Sequence, residues 1–250
     1  MLDKIPWEIP KNKELQEYLK PTIHCNIDHP EVKKTAEKLI KGVENQKEAA
    51  IKIFYFVRDS IKWTPWQNFK KADEVLREGY GACFNKATLQ ITLLRCVGIP
   101  ARYRHQMFSK ELFSRAVPEG FIRDIIFNEL HPVNPITTFA EVYLNGRWIA
   151  AATTMDRFLN PAKAREWDGE TDVFFLEKEE IIEEVGTEAE LHKPEVEEYR
   201  RRADAISPVF RFVLEEAVKV YLDFLRYRRT FEEELNNWVK KVKEMYTTKV

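Results

Sequence analysis

The chain has no apolar run of membrane-spanning length, no lipidation motif, no secretory signal and almost no net charge. The first three absences make a cytoplasmic, reducing location away from any membrane the default expectation, and the three cysteines, Cys25, Cys83 and Cys96, cannot all pair with one another. A formal net charge of -1 over 250 residues argues against a protein built mainly to hold nucleic acid. The runs Arg200-Arg-Arg202 and Arg226-Tyr-Arg228-Arg229, with Lys240, Lys241 and Lys243, are basic but interleaved with glutamates, the pattern of a solvated helical face. Glutamine is scarce while charged residues make up 32% of the chain, a balance that leans towards a thermophilic source. The apolar share, 44%, is that of a globular protein with enough length to bury a sizeable core.

Against that plain background one stretch stands out. Gly79-Tyr-Gly-Ala-Cys83-Phe-Asn-Lys-Ala87 runs into Leu93-Leu-Arg-Cys-Val-Gly98-Ile-Pro-Ala-Arg102. Two glycines permit a tight turn, and the apolar spacing that follows puts Cys83 at or near a helix N-terminus. There the unpaired backbone N–H groups and the positive end of the helix dipole favour thiolate over thiol. The alternative is a buried cysteine that merely packs at a helix start.

The pattern resembles the transglutaminase-like superfamily, a papain-related group whose nucleophilic cysteine opens a helix ending in a Leu-Leu-Arg-x-x-Gly-Ile-Pro-Ala-Arg signature. The resemblance extends upstream to Phe56-Val-Arg-Asp-Ser-Ile61-Lys-Trp63 and downstream to Glu141-Val-Tyr-Leu-Asn-Gly-Arg-Trp148, covering about residues 28–156. It implies an α+β fold with the nucleophile helix packed on an antiparallel sheet, and cysteine-dependent acyl transfer or amide or ester hydrolysis through a thioester at Cys83. No cofactor is implied. The substrate would be a peptide, a protein side chain or a small amide or ester.

The chain departs from the family at the second catalytic position. The family's histidine stands four residues before the hairpin glutamate, and counting back from Glu141 gives Thr137, which cannot act as a general base near neutral pH. The family's aspartate position falls near Ala152, with Asp156 four residues later as a substitute. Cysteine at its free pKa is only a few per cent thiolate at pH 7, so a stand-in base is needed for catalysis. His131, in the segment leading to the strand that should carry the base, is the expected one by position; it reads equally as a loop histidine before a proline. His105, on the next strand, is the lesser candidate. A degenerate triad leaves a second reading, a catalytically inactive binding or scaffold protein.

Around the motif, Trp63 and Trp66 are expected to line a substrate cleft or to brace a strand edge, with Thr137 beside them. Lys86, about one helical turn after Cys83, is expected near the thiol or on the helix surface. The cluster His24-Cys25-Asn-Ile-Asp28-His29 invites a metal reading, but it offers three ligands and no matching second pair; a helix start at Pro30 explains it better, and no metal site is expected.

The expected order is a short helix near 12–19, helices near 31–43, 46–60 and 71–78, the nucleophile helix, a strand from Ile99, a long insertion over 108–136 and a hairpin through 137–152. Residues 1–193 are expected to form the core. Residues 194–250 are expected to form a C-terminal helical hairpin, because Ser207-Pro208 opens one helix and Thr230-Phe-Glu-Glu233 fits a capping box for a second. Such a pair could pack on the core or join copies of the chain as a homo-oligomer.

Overall fold

The structure, a computed structural model, describes residues 2, 4–65, 69–109, 111–112, 135–187 and 208–247. Helices α1 (Lys13–Glu17), α2 (Pro30–Ile40) and α3 (Gln46–Ser60) come first. Asn12 and Asn45 cap α1 and α3 by accepting the backbone N–H of Glu14 and Glu48, and Pro30 occupies the first turn of α2, where its missing N–H costs nothing. Strand β1 (Lys62–Trp63), helix α4 (Ala72–Glu78) and strand β2 (Tyr80–Gly81) lead into α5 (Cys83–Cys96). After it come β3 (Ala101–Phe108), β4 (Ile136–Leu144), β5 (Arg147–Ala151), β6 (Ile181–Gly186) and helix α6 (Pro208–Thr247).

Helix α5 is buried from Phe84 to Cys96, its polar residues Asn85, Lys86, Thr88, Gln90, Thr92 and Arg95 included, so it is enclosed on every side. Helices α2, α3 and α4 pack on it, and β3 and β4 cover its remaining face. The larger sheet is antiparallel in the order β5-β4-β3-β6, with Tyr103 opposite Ala140 and His105 opposite Thr138. Asn145 and Gly146, both at positive φ, turn β4 into β5. The smaller sheet pairs β1 and β2 in parallel, Trp63 opposite Gly81, which brings Trp63 beside the turn before the cysteine.

Two apolar clusters result. One surrounds α5; the other joins Trp63, Phe108, Phe139, Met155, Phe175 and Leu176 to Val218 and Leu222 of α6. Residues 208–247 form one helix of 40 residues, not the expected hairpin. Thr230 does not cap a second helix: its hydroxyl donates to the carbonyl of Arg226, 3.0 Å away and one turn back. No glycine, and no proline after Pro208, interrupts the segment, so nothing stops the first helix where the capping pattern suggested a break. Strand β6, which sequence patterning did not reveal, adds to the free edge of β3. The expected insertion over 108–136 lies mostly outside the described residues. Among the described residues no helix is long and apolar enough to cross a membrane.

Candidate active site

The approach to Cys83 depends on two glycines. Gly79 adopts φ +70° and ends α4 with its N–H on the Val75 carbonyl; a Cβ on Gly81 would lie 2.8 Å from Asn85 Cβ. Only a chain without a side chain there can fold so tightly onto the first turn of α5. Ala82, the residue before the helix, makes no side-chain cap, so the start of α5 is not closed off by a polar side chain there.

The sulfur faces a narrow cleft of about 40 Å³ lined by Trp63 and Pro65 from one side, Phe108 and Phe175 from another, and Ile136, Thr137 and Thr154 along the sheet. Cys83 Sγ lies 3.8 Å from the carbonyl oxygen of Ile136. Burial pushes the thiol above its ordinary range, while the backbone of Thr138 and Phe84 and the hydroxyl of Thr137 pull the other way without cancelling it.

Thr137 is buried and lines the cleft; its hydroxyl lies close enough to favour the thiolate but makes no well-formed hydrogen bond. Thr154, which sequence reasoning passed over, is similar: it is buried, lines the cleft and has an unpaired hydroxyl. Both hydroxyls are available to a bound molecule.

Residues 33–153 match the family model of the transglutaminase-like superfamily. That stretch, from within α2 to just past β5, is similar to the transglutaminase-like superfamily. Among solved structures it is similar to a provisionally assigned cysteine protease from Cytophaga hutchinsonii, at 22% identity and a TM-score of 0.43, covering 57% of this chain and 43% of that one. A provisionally assigned protease from Parabacteroides distasonis is similar at 17% identity and a TM-score of 0.35, covering 56% of this chain and 29% of that one. The chain thus spans less than half the length of either. Comparison with curated proteins gives no match.

The other expected site residues lie as follows. Trp63 is buried against the cleft. Trp66 and His131 lie outside the described residues. His105 is buried with Nδ1 3.0 Å from the Thr138 hydroxyl and its ring stacked on Tyr103. Lys86 is fully buried and does not line the cleft: Nζ donates to the carbonyl oxygens of Ile61 at 2.6 Å and Arg58 at 3.0 Å, at the end of α3. Burial pushes its pKa down to about 7, against the attraction of Asp156.

Asp156 is also buried, and its carboxylate is fully engaged. It accepts the backbone N–H of Trp63 at 2.8 Å and of Leu159 at 2.9 Å, and Arg226 of α6 donates Nη2 at 2.8 Å. Burial alone would raise its pKa; the hydrogen bonds and charge of Arg226 overcome that and hold it below the ordinary carboxylate range. Arg226 Nη2 also reaches the Trp63 carbonyl at 2.6 Å. The pair therefore clamps Trp63, a wall of the cleft, to the C-terminal helix. No local sequence signal marks Arg226, because it is one of several arginines in a basic run and only the tertiary fold selects it.

The side chains of the His24 to His29 cluster go separate ways. Cys25 Sγ meets the Tyr103 hydroxyl at 3.1 Å, His24 packs edge-on to Phe84, and His29 faces Asp73 at 3.6 Å. Among the described residues no group of three or more His, Cys, Asp or Glu converges as metal ligands would.

Proposed function

We propose that the cleft performs cysteine-based acyl transfer or hydrolysis, with Cys83 as nucleophile towards an amide or ester carbonyl of a peptide, a protein side chain or a small molecule. The observation that carries this reading is the place of Cys83: the first residue of α5, its sulfur in the cleft, with the backbone of Phe84 and Thr138 drawing it towards thiolate.

In this reading His131 takes the thiol proton as the C–S bond forms. It returns the proton to the amine or alcohol as the C–N or C–O bond breaks, leaving a thioester. Water or an acceptor amine, deprotonated by the same imidazole, then releases the acyl group. The support is connectivity: Pro135 lines the cleft, and His131 stands four positions before it, a reach of at most about 14 Å. Asp156 in this reading acts by holding Trp63 in place.

Three observations favour the second reading, a binding site on a catalytic fold: Thr137 at the histidine position, Asp156 occupied by Arg226, and a thiol pushed up by burial. Hydrolysis of small aryl esters separates the two. The acyl-transfer reading expects turnover that is lost in Cys83→Ala and reduced at least 100-fold in His131→Ala; turnover unchanged in Cys83→Ala contradicts it.

A further inference from the structure

Beside Cys83 the sheet ends in two pairs of threonines. In the β4–β5 register Ala140 faces Ala151, and the same register continued past that pair sets Thr138 opposite Thr153 and Thr137 opposite Thr154. Alternate residues of a strand point to opposite faces, and the two pairs meet different surroundings. Thr138 and Thr153 are buried and both partnered: the Thr138 hydroxyl lies 3.0 Å from Nδ1 of His105, and the Thr153 hydroxyl donates to Oε1 of Gln90 on α5 at 2.9 Å. Thr137 and Thr154 line the cleft at 1% and 4% exposure, and neither hydroxyl has a well-formed hydrogen bond within the protein. A buried hydroxyl without a partner weakens a fold, so two of them on one cleft wall mark the place where a bound molecule completes the hydrogen bonding.

The other walls define the chemistry of that molecule. Trp63, Pro65, Phe108, Ile136 and Phe175 are apolar, and no described residue lining the cleft is charged. Asp156 and Arg226, which hold the backbone of Trp63, do not line it and neutralise each other. A carboxylate or ammonium group entering there would lose its water and gain no countercharge, whereas a carbonyl oxygen accepts from either hydroxyl. The volume, about 40 Å³, is that of roughly three waters, room for about three or four non-hydrogen atoms. A carbonyl with one or two further carbons fills it, and a benzoyl ring exceeds it.

We infer that the cleft selects a short, uncharged acyl group, acetyl or propionyl, and that the hydroxyls of Thr137 and Thr154 bind its carbonyl oxygen. This rests on the acyl-transfer reading of Cys83 and narrows its substrate class. Thr154 is then a specificity-determining residue, and Thr137 serves the substrate as well as the sulfur.

The experiment reads binding apart from turnover. Acetamide, propionamide, propionate and benzamide are compared for protection of Cys83 against a small alkylating reagent, with Cys25 and Cys96 as internal controls. The two short amides are expected to slow alkylation of Cys83 several-fold, and propionate and benzamide at the same concentration to leave it unchanged. Thr137→Val and Thr154→Val keep the shape and lose the hydroxyl; each is expected to raise the amide concentration needed by about 3–10-fold, and Thr154→Ser to restore it. Circular dichroism of the valine variants separates lost binding from lost fold, and ligand-observed NMR on Cys83→Ala reads the same order of ligands without the thiol. Equal binding of propionate or benzamide, no binding of either short amide, or unchanged binding in both valine variants overturns the inference. The amide preference without any aryl-ester turnover supports the pocket and fails the acyl-transfer reading alone. Turnover of acetyl, benzoyl and succinyl esters at one rate fails the selection alone.

Discussion

Replacing Arg226 by methionine removes one partner of a buried ion pair and leaves the Asp156 carboxylate with two backbone donors, no cation in contact and only the more distant Lys86 as countercharge. Both side chains are almost completely buried, at 7% and 1% exposure, so solvent does little to screen the loss. Breaking such a pair from one side costs about 3–5 kcal/mol, and at 2–4 °C per kcal/mol for a chain of this size that is a fall of roughly 6–20 °C in Tm. The pH dependence distinguishes this cause from lost packing. In the wild type the folded pKa of Asp156 is depressed, so its stabilisation is present above the ordinary carboxylate range and is lost as pH falls through the folded value. In Arg226→Met the unpaired carboxylate takes up a proton more readily, so the gap between the two proteins narrows as pH falls from 7 to 4. Urea unfolding across that range, with Asp156→Asn/Arg226→Met to close the cycle, is the assay; the double variant should regain more than half of the loss. A loss below about 1 kcal/mol at pH 7, or one that does not change with pH, refutes the reasoning.

Three further outcomes are expected. Alkylation of Cys83 by a small reagent, followed by mass spectrometry with buried Cys25 and Cys96 as internal controls, should outpace both controls and titrate above the ordinary thiol range. A midpoint below about 8 would show a hidden cation or base at the sulfur. Thr137→His, which restores an imidazole at the family position, should bring that midpoint down by one unit or more; an unchanged profile would mean that residue 137 does not address the thiol. Lys86 has a folded pKa near 7 against an ordinary value of 10.5, so the unfolded chain binds more protons between those limits and stability relative to Lys86→Met should rise with pH from 7 to 10. A flat difference in chemical-denaturation curves would show that the carbonyls of Arg58 and Ile61 keep the ammonium charged.

The core was legible in the sequence because its signals are local. The turn glycines, the apolar spacing along α5 and the Asn-Gly turn between β4 and β5 each impose backbone geometry without help from distant residues. Thr137 was singled out through the resemblance, which implies a catalytic position four residues before Glu141, and it does line the cleft beside Cys83. Strand β6 was not legible: Ile181-Ile-Glu-Glu-Val-Gly has no clean alternation, and its order comes from the β3 edge and from the pairing of Glu184 with Arg104 and Gln106. Arg226 and Thr154 were missed for the same reason, since only the fold brings them to Trp63 and to the cleft. Lys86 was read as near the thiol or on the surface because helical position alone does not show that α5 is enclosed on all sides. The Thr-x-x-Glu pattern at 230–233 misled because a capping box needs a break in the chain before it, and nothing in the sequence provides one.

The most direct measurement is intact-protein and peptide mass spectrometry after brief exposure to a small activated ester, comparing wild type, Cys83→Ala and His131→Ala. The account predicts one acyl group per chain, on the Cys83 peptide, removable by hydroxylamine, absent from Cys83→Ala and slow to form in His131→Ala. An adduct that never reaches Cys83 while a small alkylating reagent does would contradict acyl transfer and leave the cleft as a binding site.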